Sequence, residues 1–228
     1  MKYIIVGLGS FGASLAVKLT EQGNEVIGID TNMDKVDIFK ERISHTIAMD
    51  ATDESTVAGL PLRDTDIVVI AIGEHKGDNI MATALFKNLK ANRLISRAID
   101  SLHEKVLHAI GVDEIVHPEA ESAERWAKKL CFGGVVDSFE LNEDYSIVEI
   151  NIPLRYDKIS IKESNIREKY DLLVLTTIAN TQVKSMVGKT RNITNVKGVA
   201  GPNYILDKAD ILVLYGANRD IKKFLKDD

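Results

Sequence analysis

Gly7-Leu8-Gly9-Ser10-Phe11-Gly12 comes straight after the apolar run Tyr3-Ile4-Ile5-Val6 and opens a stretch of helical period. No other feature constrains the chain as much, because G-x-G-x-x-G at a strand-to-helix junction is the fingerprint of a phosphate-binding βαβ unit. Gly7 permits the tight turn, Gly9 lets the backbone approach a phosphate with no Cβ in the way, and Gly12 lets the helix pack closely on the strand. The amides that begin the helix, at Ser10 and Phe11, then face the phosphates, and the helix dipole favours the negative charge. The plainer alternative is that Gly7 and Gly12 serve turn and packing alone.

Downstream, short β-branched runs at 3–6, 25–29, 46–49, 67–72, 93–97 and 114–116 alternate with segments of three- and four-residue apolar spacing at 10–22, 33–42, 54–60, 77–88 and 101–110. Such alternation predicts right-handed βαβ units on a parallel sheet. The fold class is α/β, a Rossmann-like doubly wound sheet of six strands. His117-Pro118-Glu119 ends the last unit, and residues 120–130 read as a charged amphipathic helix running to Gly133-Gly134. The expected organisation is a nucleotide domain over 1–118, a linker helix over 119–134 and a second domain over 135–228. Trp126, Leu130 and Phe132 give that helix an apolar face, for subunit contact or for packing on its own domain.

Ligands of doubly wound folds sit at the carboxyl edge of the sheet. Asp30 closes the second strand there, about twenty residues after the glycines, where its carboxylate can accept from both hydroxyls of a ribose and would repel a 2'-phosphate, disfavouring NADP. Asp50-Ala51 follows the third strand and Ala71-Ile72-Gly73 the fourth, on the same edge. Asp30 as a solvated loop acid and Asp53 as a helix cap are the structural alternatives.

Composition narrows the function. A net charge of -5 argues against a nucleic-acid binder, which needs a basic face. Cys131 is the only cysteine, so neither an internal disulfide nor a thiolate metal cluster can form. Gly7 and Gly9 interrupt the first apolar run too early for a leader or a membrane span, so a soluble chain in a reducing compartment is expected. A dehydrogenase needs an acid or base beside the nicotinamide. His45, His75, His103 and His108 instead read as surface or capping residues, and the second half offers no histidine.

The order of motifs resembles the regulatory subunits of bacterial potassium-uptake systems of the Ktr and Trk type, the RCK or KTN domain proteins. Val6 to Gly12, Asp30, Asp50-Ala51-Thr52 and Val69-Ile70-Ala71-Ile72-Gly73 carry it, with the run from His103 to Glu119 and its I-G-x-D-x-I-x-H-P-E ending. Residues 143–149, Asn165-Ile166-Arg167, 172–175 and 210–216 look like the family's small α/β C-terminal RCK domain, described by two β-rich edges around short helices.

The resemblance implies a cytoplasmic protein at the inner face of the membrane that does no chemistry on its nucleotide. It implies ATP, ADP, AMP or NAD(H) between paired Rossmann domains of an octameric ring docked on a potassium channel or transporter subunit. By position, Gly7, Gly9 and Gly12 face the phosphates, Asp30 the ribose, Asp50 and Ala51 the adenosine side, and Arg97 stands near the phosphates. Glu119 matches a glutamate that takes a divalent or monovalent cation at the dimer contact, and Ile166 and Arg167 match a cyclic di-AMP site. Ser10 stands where some Ktr subunits carry an arginine for the terminal phosphate, which raises NAD(H) or AMP as the ligand. The single pair of domains favours a Ktr over a Trk partner. An NAD-dependent oxidoreductase and a channel-independent nucleotide-binding adaptor are the competing readings.

Overall fold

In the computed structural model, which describes residues 1–131, 134–184 and 190–227 and leaves out the side chains at 128, 180–184 and 190–193, the chain divides into two units, Met1–Ala120 and Glu121–Asp228. The expected apolar contact Phe132 and the helix stop at Gly133 lie outside the described residues.

The first unit runs β1 (Lys2–Val6), α1 (Ser10–Glu21), β2 (Glu25–Asp30), α2 (Met33–Phe39), β3 (His45–Ala48), α3 (Glu54–Val57), β4 (Ile67–Ile70), α4 (Lys76–Asn88), β5 (Leu94–Arg97), α5 (Ser101–Ile110) and β6 (Glu114–Val116). The strands pair in parallel in the order β3-β2-β1-β4-β5-β6. Helices cover both faces, so the central strands are apolar throughout; all four residues of β4 are buried. The two-residue period splits them between two cores. Ile4, Val6, Val68 and Ile70 face α4 with Phe86, and Ile5, Ile67 and Val69 face α1 with Ala13, Ala16 and Val17.

Two elements stop earlier than their periodicity predicts. The helical pattern over 33–42 yields a helix only to Phe39, because the Phe39 carbonyl accepts from both Arg42 and Ile43 and turns the chain so that Ile43 can enter the core. The strand over 67–72 leaves the ladder at Ile70, whose partner Ser96 is the last pair between β4 and β5.

Helix α6 (Pro118–Cys131) begins in the first unit and continues in the second. Proline at its first position costs no hydrogen bond, because the first amides of a helix have no intrahelical partner. Trp126 and Leu130 are exposed.

The second unit holds β7 (Val135–Glu140), β8 (Tyr145–Asn151), α7 (Ile161–Ser164), α8 (Ile166–Tyr170), β9 (Leu173–Lys184), β10 (Thr190–Val196), β11 (Asp210–Ala217) and α9 (Asn218–Lys226). In place of two β-rich edges, these strands form one antiparallel sheet in the order β10-β9-β11-β8-β7. The reason is that β11 is apolar on both faces and takes the centre. Leu212 and Leu214 pack with Val148, Ile150, Tyr170 and Phe224, while Ile211 and Val213 pack with Ile178. Phe224 stacks on Tyr156 at 5.5 Å between centroids and meets Tyr170 edge-on at 5.1 Å, which closes α9 over the sheet.

Candidate functional site: a phosphate cradle at the strand-order reversal

The turn from β1 to α1 is held from both sides. Gly7 sits at φ +96, where a side chain is strained, and a Cβ there would come within 3.1 Å of the Ile72 amide nitrogen. At Gly12 a Cβ would overlap the Gly7 carbonyl oxygen and stand 2.9 Å from the Ala71 Cβ, so only glycine lets α1 approach the end of β4. Gly9 is the N-cap of α1, and its missing Cβ would project into space empty of protein within 4 Å.

Helix α1 therefore opens with no side-chain cap and no acidic residue in its first turn. Helices α2, α3 and α5 differ: Asn32, Asp53 and Asp100 each accept from an amide of the helix that follows. Asp53 is thus a helix cap. At α1 the first-turn amides and the positive end of the dipole are left facing the sheet edge, an arrangement that suits an anion.

They face a cavity of about 310 Å³. Gly7, Gly9, Ser10 and Phe11 form its floor at the loop, Asp30, Asp50 and Ala51 come from the ends of β2 and β3, and Ala71, Ile72 and Gly73 come from the end of β4. Arg97 and Glu119 complete the wall. Of the first-unit residues expected to hold nucleotide or cation, Gly12 alone stays off the wall; it acts through the close approach of α1.

Asp30 is no solvated loop acid. It is 9% exposed, and its carboxylate accepts from the amides of Leu8 at 2.8 Å and Asn32 at 2.9 Å, which ties β2 to the glycine loop. Two further lone pairs remain for a ligand hydroxyl. Lys35 of α2, also on the cavity wall, stands 3.7 Å from Asp30 and 3.7 Å from Glu74. Asp50 turns inward on its own loop, where one carboxylate oxygen accepts from the amide and the hydroxyl of Thr52.

Arg97 is the more buried of the two cations, with Lys35, that line the cavity. Its side chain is only 17% exposed, lies over Gly73, and reaches Glu119 at 2.5 Å. Its Nε–H is buried with no hydrogen-bond partner, an uncompensated donor on a residue of the same cavity wall. Glu119 is engaged by Arg97, and among the described residues no cluster of three or more His, Cys, Asp or Glu side chains could hold a metal.

His103 departs from the surface reading: it is 2% exposed, and burial pushes its pKa down. It belongs to a polar cluster with Asn79, Thr83 and Ser96 behind the cavity wall, all three fully buried. The sequence does carry a signal for this cluster. Asn79, Ala82, Thr83 and Phe86 share the buried stripe of α4 at helical spacing, and two of the four are polar. Lys35, one turn into α2, carried no comparable signal.

In the second unit Ile166 lies in the core, 1% exposed, so it presents nothing to a ligand; the neighbouring Arg167 is exposed. Among the described residues no helix is long and apolar enough to cross a membrane.

A family profile for the TrkA-N domain matches residues 3–118. Over 225 residues the chain is 35% identical to Ktr system potassium uptake protein C of Bacillus subtilis (strain 168), covering 99% of this chain and 96% of that protein. It is 30% identical over 223 residues to Ktr system potassium uptake protein A of the same organism, covering 98% and 95%. Among solved structures, the GsuK RCK domain superposes on 99% of this chain with a TM-score of 0.65. At 17% identity that likeness shows the fold alone, and this chain spans less than half, 47%, of that one.

Proposed function

We propose, from the premise that this chain belongs to the TrkA-N domain family and is a relative of the Ktr potassium uptake proteins, that it is the nucleotide-sensing regulatory subunit of a potassium-uptake system. The observation that carries the reading is the uncapped, glycine-built start of α1 opening on the cavity that holds Arg97 and Asp30. Phosphates lie on the α1 amides and Arg97, a ribose on Asp30, and the adenosine side on Asp50 and Ala51. The ligand is NAD(H) or an adenine nucleotide, ATP, ADP or AMP, bound without being turned over. Ser10 brings no charge to a terminal phosphate, which favours NAD(H) or AMP.

Arg97 links ligand to switch. Free of ligand, it pairs with Glu119 at the start of α6; a bound phosphate competes for the same guanidinium and releases Glu119. Released, Glu119 can take a cation, which an arginine at 2.5 Å otherwise opposes. A ligand moves such an equilibrium only by its difference in affinity for the two states, typically about 1–3 kcal/mol.

Domains over 1–118 and 135–228 joined by a linker helix over 119–134, homodimers through α6 and a ring, octameric as in the family resemblance, complete the reading. The ring sits at the cytoplasmic face on a membrane-embedded potassium channel or transporter subunit, and Arg167 offers a contact for cyclic di-AMP. The test is equilibrium binding of ATP, ADP, AMP, NAD and NADH to the purified protein. Tight binding without turnover supports it; NADH consumption, or no binding at all, overturns it.

A further inference from the structure

Past Ile70 and Ser96 the backbone ladder between β4 and β5 is finished. Yet the residues that follow on both strands, Ala71-Ile72-Gly73 and Arg97, line the same cavity. One side chain spans them. Asn79 of α4 donates from its amide nitrogen to the Ile72 carbonyl at 2.9 Å and to the Arg97 carbonyl at 3.2 Å, replacing the missing backbone pairing.

The amide oxygen of Asn79 faces the other way. It accepts from the Ser96 hydroxyl at 3.1 Å and lies 3.1 Å from Nε2 of His103. Thr83 completes the cluster, 3.0 Å from the Ser96 hydroxyl. With two carbonyls on its nitrogen and donors on its oxygen, Asn79 has a single satisfying orientation.

His103 has a single satisfying state as well. Nδ1 accepts from the Ile99 amide at 3.3 Å, so the ring proton must sit on Nε2, where it donates to Asn79. Protonating Nδ1 would set its new N–H against the Ile99 N–H and break the contact that orients the ring. The charged groups facing His103 are Asp100, which caps its helix, and Lys76 of α4, which is ion-paired with Asp100. Burial outweighs the attraction of Asp100, and Lys76 adds to the effect, so the pKa is pushed down and the neutral imidazole is favoured.

From this geometry we infer that Asn79 and His103, neither of which lines the cavity, are positioning residues of the nucleotide site: the couple sets the spacing of Ile72-Gly73 and Arg97, and it does so only with neutral His103. The inference rests on the nucleotide reading above. It makes affinity fall with acid through a group that touches no ligand.

The test titrates NAD into the full-length protein at pH 7.5 and 5.5. NAD suits the range because neither its diphosphate bridge nor its adenine titrates there. His75 lines the cavity, so both proteins compared carry His75→Gln, and one also carries His103→Gln, which keeps a donor toward Asn79 and cannot titrate. The protein retaining His103 is expected to lose more affinity on acidification than its His103→Gln partner, within the roughly tenfold ceiling that an imidazole pKa no higher than about 6.5 allows at pH 5.5.

Equal losses in the two proteins overturn the inference while leaving the nucleotide site standing; an unmodified protein that at pH 7.5 binds none of NAD, NADH, ATP, ADP and AMP sinks both. A ligand-free measurement guards against a variant that does not fold. Nitrogen NMR of the unmodified protein at pH 7.5 must find His103 as the Nε2–H tautomer, and an imidazolium or the Nδ1–H tautomer there overturns the inference as well.

Discussion

Two glycines of one loop should fail in opposite ways when given the same methyl group. In Gly12→Ala the new Cβ would overlap the Gly7 carbonyl oxygen and crowd the Ala71 Cβ at 2.9 Å. The first of these is backbone and cannot rotate away. Alanine inside a helix is worth about 1 kcal/mol over glycine, but pushing α1 off the sheet costs about 1–3 kcal/mol, and more where backbone must move. The net expectation is a loss of about 2 kcal/mol, and at roughly 3–5 °C per kcal/mol for a unit of this size the thermal midpoint falls by about 6–10 °C.

In Gly9→Ala the methyl meets no protein atom within 4 Å, at a backbone conformation open to any residue (φ -71, ψ -173). The cost to stability is that of a weaker N-cap, below about 1 kcal/mol. On the proposed binding mode, the methyl instead stands between a bound phosphate and the α1 amides. Loss of one charge-assisted hydrogen bond, about 1.5–3 kcal/mol, weakens nucleotide binding roughly 10- to 100-fold. Circular-dichroism melting and calorimetric titration of both variants decide the matter. A Gly12→Ala protein that melts with the unmodified chain, or a Gly9→Ala protein that binds equally well, would refute the cradle geometry.

Asp30→Ala removes the acceptor of two amides as well as the proposed ribose contact, so it should lower the thermal midpoint, at about 1–3 kcal/mol per buried donor left unpaired, along with nucleotide affinity; a variant that loses binding alone shows the carboxylate has no structural part. Glu119→Gln frees Arg97 for phosphate and should tighten NAD about threefold in metal-free buffer, the scale of an exposed ion pair, as read by calorimetry; weaker binding would contradict the exchange of partners. Arg125 of α6 grips Asp137 of β7 with two nitrogens and holds the Asp137 carboxyl below its ordinary 3.8. A depressed carboxylate stabilises the fold above that value and loses its effect as pH falls beneath it. Asp137→Asn should therefore flatten the decline of urea midpoints below pH 3.8, and an unchanged slope would dismiss the pair.

What could be read from the residues was whatever local chemistry decides. G-x-G-x-x-G between an apolar run and a helical period admits few other structures, and six alternating segments leave a parallel sheet as the economical fold. Asp30, Asp50 and Ala71-Ile72-Gly73 were found because each closes a strand, and strand ends of a parallel sheet share one edge. The order β3-β2-β1-β4-β5-β6 then brings them to one cavity.

Tertiary structure alone decided what depends on partners distant in sequence. Arg97 and Glu119 are 22 residues apart and meet only because β5 ends beside the start of α6. His103 looked like an ordinary helix-face histidine until α4 brought Asn79 within 3.1 Å, 24 residues away. Ile166 looked available to a ligand until the packing of α8 on the second sheet buried it. A strand or a glycine turn is specified by its neighbours in the chain, whereas burial and the charge state of a side chain are set by whatever the fold places around it.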